Sequence, residues 1–122
     1  MTRSRTVRAL AVTLLMFASL AFSASPAAAA ARYYYNTWIT ISSYRINTSG
    51  TSLYEVGTLY AGRHYFYCQY RFPRWPYTDA HGNTNIWYAS TDDDTGNRGV
   101  LIPVTAFTVG GQNEPIPGLP SC

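Results

Sequence analysis

The stretch LYEVGTLYAGRHYFYCQYRF, residues 53–72, decides how this chain folds. Its two runs, LYEVGTL and HYFYCQYRF, are rich in aromatic and β-branched side chains, and YAGR between them supplies a turn. The stretch therefore reads as two short strands joined by a turn. The same pattern continues outward on both sides. Upstream, YYYNTWITISSYRI (33–46) reads as a strand with Trp38, Ile39 and Ile41 near its centre, and NTSGTS (47–52) as a turn. Downstream, PRWPYTDAHGNTN (73–85) has the Pro, Asp, Asn and Gly content of a long loop, and IWYAST (86–91) reads as a fourth strand. DDDTGN (92–97) is a tight turn, RGVLI (98–102) a fifth strand, and PVTAF (103–107) a short helical turn after Pro103. Gly and Pro are too dense in TVGGQNEPIPGLPSC (108–122) for regular structure. No stretch reads as a long amphipathic helix. The expected fold is all-β: a small antiparallel barrel or sandwich of about five strands, with an irregular tail over residues 108–122.

The opening of the chain has a different character. MTRSRTVR (1–8) carries three arginines and no acid, ALAVTLLMFASLAF (9–22) is a mostly apolar run, and SASPAAAAA (23–31) is built of small residues. That order is the pattern of a secretory signal peptide, and the apolar run is short for a membrane span. Residues 1–31 are read as that signal, with cleavage between Ala28 and Arg32, and residues 32–122 as a single domain. The expected location is secreted, extracellular or cell-wall associated, with no membrane insertion once the signal is removed.

Removing the signal changes the charge argument. The chain has nine Lys or Arg residues against six Asp or Glu, a formal net charge of +3. Arg3, Arg5 and Arg8 lie in the signal, leaving six arginines against six acids and a net charge near zero. The basic surplus therefore gives no reason to expect nucleic acid as a partner. All eleven tyrosines and all three tryptophans fall in the remaining part, a composition too aromatic for disorder. A domain of this size has a modest core, and small exported domains often add a disulfide. With two cysteines in an exported chain, the simplest assignment is one bridge from Cys68 to Cys122.

YEVGTLYAGRHYFYCQ (54–69), NIWYAS (85–90) and GVLIPVTAF (99–107) together resemble the bacterial SH3-like domain family. The matching positions are Val56, Gly57, Thr58, Leu59, Ala61, Gly62, Cys68, Asn85, Trp87, Tyr88 and Gly99. The ending QNEPIPGLPSC (112–122) is similar to that of small secreted actinobacterial members, in which a terminal cysteine follows the barrel. The resemblance runs from about Tyr44 to Phe107. It implies an SH3-like barrel, a core role for Trp87, and a non-enzymatic binding module whose relatives are associated with cell-wall peptides.

Candidate chemistry narrows quickly. Asp79, His81, His64 and Cys68 suggest a thiol enzyme only if Cys68 is a free nucleophile, and a bridged Cys68 is not. His81 lies in DAHGN, a turn composition, so no catalytic residue is assigned. TDDDTGN (91–97) clusters carboxylates, yet position twelve counted from Asp92 is Pro103 rather than the glutamate that an EF-hand loop requires. Those acids are read as solvated residues of a hairpin turn that oppose edge pairing, and no metal or cofactor is expected. The aromatics are the stronger candidates. FPRWPY (72–77) sets Trp75 between prolines beside Arg74 and Tyr77. Such a stiff loop loses little entropy on binding, although the same residues can instead fold back as a lid on the barrel. Arg74, Trp75 and Tyr77 are the candidate ligand-binding residues, for a peptide or cell-wall glycopeptide with an acidic group facing Arg74. The alternative is a small secreted inhibitor or toxin-like protein that presents this loop to a protein partner. In RYYYNTW (32–38), alternation puts Tyr33 and Tyr35 on one face and Tyr34 on the other.

Overall fold

The structure, a computed structural model, describes residues 30–122, so the signal-peptide reading lies outside the described residues. Nine short strands form in chain order: β1 Tyr33–Thr37, β2 Ile41–Ile46, β3 Leu53–Leu59, β4 Gly62–Phe66, β5 Cys68–Arg71, β6 Tyr77–Thr78, β7 Thr84–Asn85, β8 Trp87–Thr91 and β9 Val100–Pro103. A single turn of 3-10 helix, Val104–Ala106, follows β9. Five of the strands make an antiparallel sheet in the order β3-β2-β9-β8-β5, while β1 pairs with β4 and β6 with β7 in two small ladders. The protein is therefore all-β and antiparallel.

LYEVGTL forms β3 with the expected bounds. HYFYCQYRF does not stay one strand. It breaks at Tyr67 into β4, which pairs with β1, and β5, which pairs with β8. The chain thereby crosses from the small ladder into the main sheet. YYYNTWITISSYRI also divides, because β1 pairs with β4 while β2 pairs with β3 and β9. Sequence propensity locates extended chain but carries no record of which partner each half takes. Aromatic and β-branched content hid both changes of partner.

The turns close by side-chain chemistry. Between β2 and β3, Asn47 Oδ1 accepts from the backbone N–H of Thr51 (2.8 Å) and Ser52 (3.2 Å), and Gly50 takes the left-handed conformation at φ 68°. Between β8 and β9, Asp93 Oδ1 accepts from the N–H of Thr95 and Asn97, both at 2.9 Å. Its other oxygen takes the Ser43 hydroxyl and the Asn97 amide. Asp92 accepts from the hydroxyls of Tyr65 and Tyr67 (both 2.7 Å) and from the Gly99 N–H (2.9 Å). Asp94 takes the Tyr60 N–H at 2.8 Å. These acids are structural acceptors that fasten the turn to β2, β3 and β4, rather than the solvated acids that their composition suggests. Gly57 lets the turn approach, since a methyl there would run into Thr95, Asp93 and Asn97.

One hydrophobic cluster fills the inner face. It combines Ile41, Leu59, Phe66, Ala89, Val100 and Ile102 with Val104, Ala106 and Phe107 of the closing turn, and with Ile116 and Leu119 of the tail. Tyr33, Tyr35 and Trp87 pack against it, whereas Tyr34 is 53% exposed, as strand alternation requires. The tail has no regular structure, yet it is held. Cys122 is bonded to Cys68, with Cα atoms 4.9 Å apart. Buried Gln69 clamps the preceding residues: its Nε2 donates to the carbonyls of Ile116 (3.0 Å) and Leu119 (2.7 Å), and its Oε1 accepts from the Ile116 N–H (2.8 Å). The backbone of Gln69 adds bonds to Pro120 and Cys122, so the tail covers the outer edge of β5. An uncovered edge there would invite pairing with another chain.

Candidate binding groove

The outer face of the main sheet carries an unusual load of aromatic residues. Cross-strand pairing puts Tyr44 opposite Leu101, Leu101 opposite Ser90, and Tyr88 opposite Tyr70, on the side away from the core. Such a face is not left bare. The Phe72–Tyr77 loop folds back across it and packs by a chain of ring contacts. Phe72 stacks on Tyr70 with centroids 5.5 Å apart and planes 11° from parallel, and meets Trp75 at 5.2 Å and Tyr88 at 5.7 Å. Tyr77 meets Tyr44 edge-on at 6.0 Å. Polar groups pin the loop at both ends of Trp75. Its Nε1–H donates to the Thr51 carbonyl at 3.2 Å, reaching the β2–β3 turn, while the Tyr88 hydroxyl donates to the Trp75 carbonyl. The Trp75 N–H closes the loop on the Phe72 carbonyl at 3.0 Å.

This packing leaves a groove of about 360 Å³ between the loop and the β2–β3 hairpin. Its walls are Arg74, Trp75, Pro76 and Tyr77 on one side and Tyr44, Ser52 and Leu53 on the other, with Tyr88 at the base. The three candidate residues therefore line one cavity. Arg74 is exposed and lies with its guanidinium carbon 6.0 Å from the Trp75 ring centroid. Among the described residues it has no carboxylate partner. Trp75 and Tyr77 are half-buried, so each ring has a packed side and a side open to the groove. FPRWPY folds back as the lid that its sequence allows, and the packed lid is itself one wall of the cavity.

The groove's chemistry follows from burial. Burial, with the neighbouring Tyr77 hydroxyl second, pushes the Tyr44 phenol up to about 12. Burial, then the Tyr44 and Tyr77 hydroxyls, does the same to Tyr88, also to about 12. Both phenols are thus neutral hydrogen-bonding groups at physiological pH, and Arg74 is the cavity's charged side chain. A narrow aromatic slot with one cation at its lip suits an extended chain that carries an acidic group.

Neither Tyr44 nor Tyr88 is among the ligand-binding residues that the sequence suggests, although Tyr88 is one of the positions matching the SH3-like pattern. The signal available was strand parity, which puts both on the face opposite Ala89 and Ile102, but using it required knowing which strands are neighbours. The remaining polar candidates do not converge. Cys68 carries no thiol, being bonded to Cys122. Asp79 is the acceptor of its own turn, taking the N–H of His81 and of Asn83 at 2.9 Å each. His64 Nε2 lies 2.6 Å from the Tyr60 carbonyl and 3.8 Å from Asp94. Comparisons with family models, with curated proteins and with solved structures give no match to this chain.

Proposed function

We propose that this chain is a secreted, non-enzymatic binding module of SH3-like architecture, which takes a peptide or cell-wall glycopeptide into the Arg74–Trp75–Tyr77 groove. The observation that carries the reading is the joining of these three residues with Tyr44 and Tyr88 around one cavity, on a loop already pinned by hydrogen bonds. A preformed groove spends little binding free energy on ordering. Several features support the SH3-like architecture. The chain passes from β4 to β5 between two ladders, a 3-10 turn follows the last strand, and Phe107 after that turn bridges to Thr37 of β1. The Cys68–Cys122 disulfide is compatible with an extracellular location, and among the described residues no helix is long and apolar enough to cross a membrane. A second reading, an inhibitor of a protein partner, is favoured by one feature: Pro73, Arg74 and Pro76 are exposed on that pinned loop.

Co-sedimentation with purified, insoluble peptidoglycan separates the two. The binding-module reading expects the protein in the pellet and Trp75→Ala in the supernatant. Both proteins remaining in the supernatant, together with inhibition of a protease by the wild type, would support the inhibitor instead.

A further inference from the structure

A second cleft, of about 280 Å³, lies between the 3-10 turn, β7 and the start of the tail. It shares no residue with the aromatic groove, and its chemistry is different. No charged side chain lines it. Trp38, Asn83, Asn85, Gln112, Thr84 and Thr105 line it together with Gly110 and Gly111, and the apolar Val104, Phe107 and Val109 complete its walls.

Trp38 is a fixed platform rather than a mobile surface ring. Its Nε1–H donates to the Thr105 carbonyl at 2.9 Å, and its backbone N–H donates to Ala106 at 3.0 Å. The His81 ring abuts it edge-on at 4.9 Å. Yet 43% of its surface stays exposed, on a residue type that is normally well covered. The second observation lies in the wall. Thr105 is 9% exposed, and its Oγ1 is a buried side-chain oxygen without a hydrogen-bond partner among the described residues. An unmet hydroxyl next to a polar cleft is a group that a ligand can satisfy after a χ1 turn.

The backbone here is already committed. Asn113 N–H donates to the Thr84 carbonyl, Phe107 N–H to the Val104 carbonyl, and the Asn85 Nδ2 amide donates to the carbonyls of Gly111 and Glu114. These bonds occupy much of the backbone that a peptide strand would need for pairing here. The Asn83 and Asn85 amides are engaged within the protein, so what the cleft offers is a flat apolar face beside the Gln112 amide and the Thr105 hydroxyl. That combination matches a ring with an apolar C–H face and a rim of hydroxyls. From this we infer a second binding site, selective for a neutral saccharide, with Trp38 as the stacking platform and Thr105 and Gln112 as hydrogen-bonding groups.

The test is a titration of the isotopically labelled protein with neutral oligosaccharides, one series of N-acetylated amino sugars and one of plain hexoses. It is read on the indole Nε1–H resonances of Trp38, Trp75 and Trp87. The site requires a saturable shift of the Trp38 indole and of the Gln112 and Asn83 side-chain amides, with Trp75 unmoved. Trp38→Ala should weaken binding by about tenfold or more. Because that variant also loses the bond to Thr105, Gln112→Ala and Thr105→Val serve as variants that spare the platform, and each should weaken binding by a few-fold. Arg74→Gln should leave saccharide binding unchanged, so failure at the aromatic groove and failure here are read separately. No shift at millimolar concentrations of either series overturns the inference. So does a neutral tetraglycine peptide that moves the same resonances while the saccharides do not.

Discussion

Asp93 shows how much a single side chain can be asked to do in a domain with a small core. Burial works against its ionised form, but hydrogen bonds from Ser43, Asn97 and Thr95 outweigh that and bring its pKa from 3.8 down to about 2. A carboxylate whose folded pKa is depressed stabilises the fold above its unfolded value, and that stabilisation is lost as pH falls through the folded value. The window is therefore from pH 3.8 down to about 2. Asp93→Asn should lower the melting temperature at neutral pH, and the gap to wild type should narrow as pH falls through that window. A gap that is constant with pH would mean that ionisation of Asp93 is not what holds the turn. The residue scale also marks the limit of reading from sequence. DDDTGN announces a turn through its composition, but Ser43, Tyr65 and Tyr67, which meet these acids, are 25 to 50 residues away along the chain. Local chemistry shows that a carboxylate is present, while its partners are set by the fold.

At the scale of elements, the runs that stay within one sheet were legible, and those that cross from one sheet to another were not. LYEVGTL and IWYAST each lie within a single sheet; the first keeps its expected bounds, and the second forms β8 from Trp87, one residue late. The PRWPYTDAHGNTN loop hides a further small hairpin, β6–β7, because two-residue strands leave no period to detect. The tail is the sharpest case. Its Gly and Pro content rightly excludes regular structure, yet it is held by residues of other elements, Gln69 foremost beside the disulfide. Gln69→Ala would leave the Ile116 N–H and the Ile116 and Leu119 carbonyls without their side-chain partner. Buried groups left unmet cost about 1–3 kcal/mol each, so the loss should reach roughly 2–4 kcal/mol after partial relaxation. The urea midpoint of unfolding should fall clearly. An unchanged midpoint would show that the tail does not depend on Gln69.

For the whole molecule, the disulfide and the groove are linked by architecture. Cys68 opens β5, the edge strand beside β8, and Tyr70 and Phe72 follow on the same stretch of chain into the loop that walls the groove. The bridge spans 54 residues of sequence. In the chain-entropy account, closing a loop of that length contributes about 4 kcal/mol, a large share of the roughly 5–15 kcal/mol that stabilises most domains. Cys122→Ser should therefore lower the melting temperature by well over ten degrees, taking about 4–8 °C per kcal/mol for a domain of this size. A melting curve that coincides with wild type would contradict a structural role for the bridge. The groove was legible on one side only. Proline-flanked Arg74, Trp75 and Tyr77 stand out in the sequence, but the facing wall of Tyr44, Ser52 and Leu53 comes from the β2–β3 hairpin, well upstream of that loop. Whether that groove binds is decided most directly by titrating the protein with a soluble cell-wall stem peptide that carries a free carboxylate, and following the Trp75 indole resonance. The account predicts a saturable shift of Trp75, weakened by about tenfold in Arg74→Gln and by added salt, with Trp38 unmoved. A Trp75 resonance that stays in place throughout the titration would contradict it.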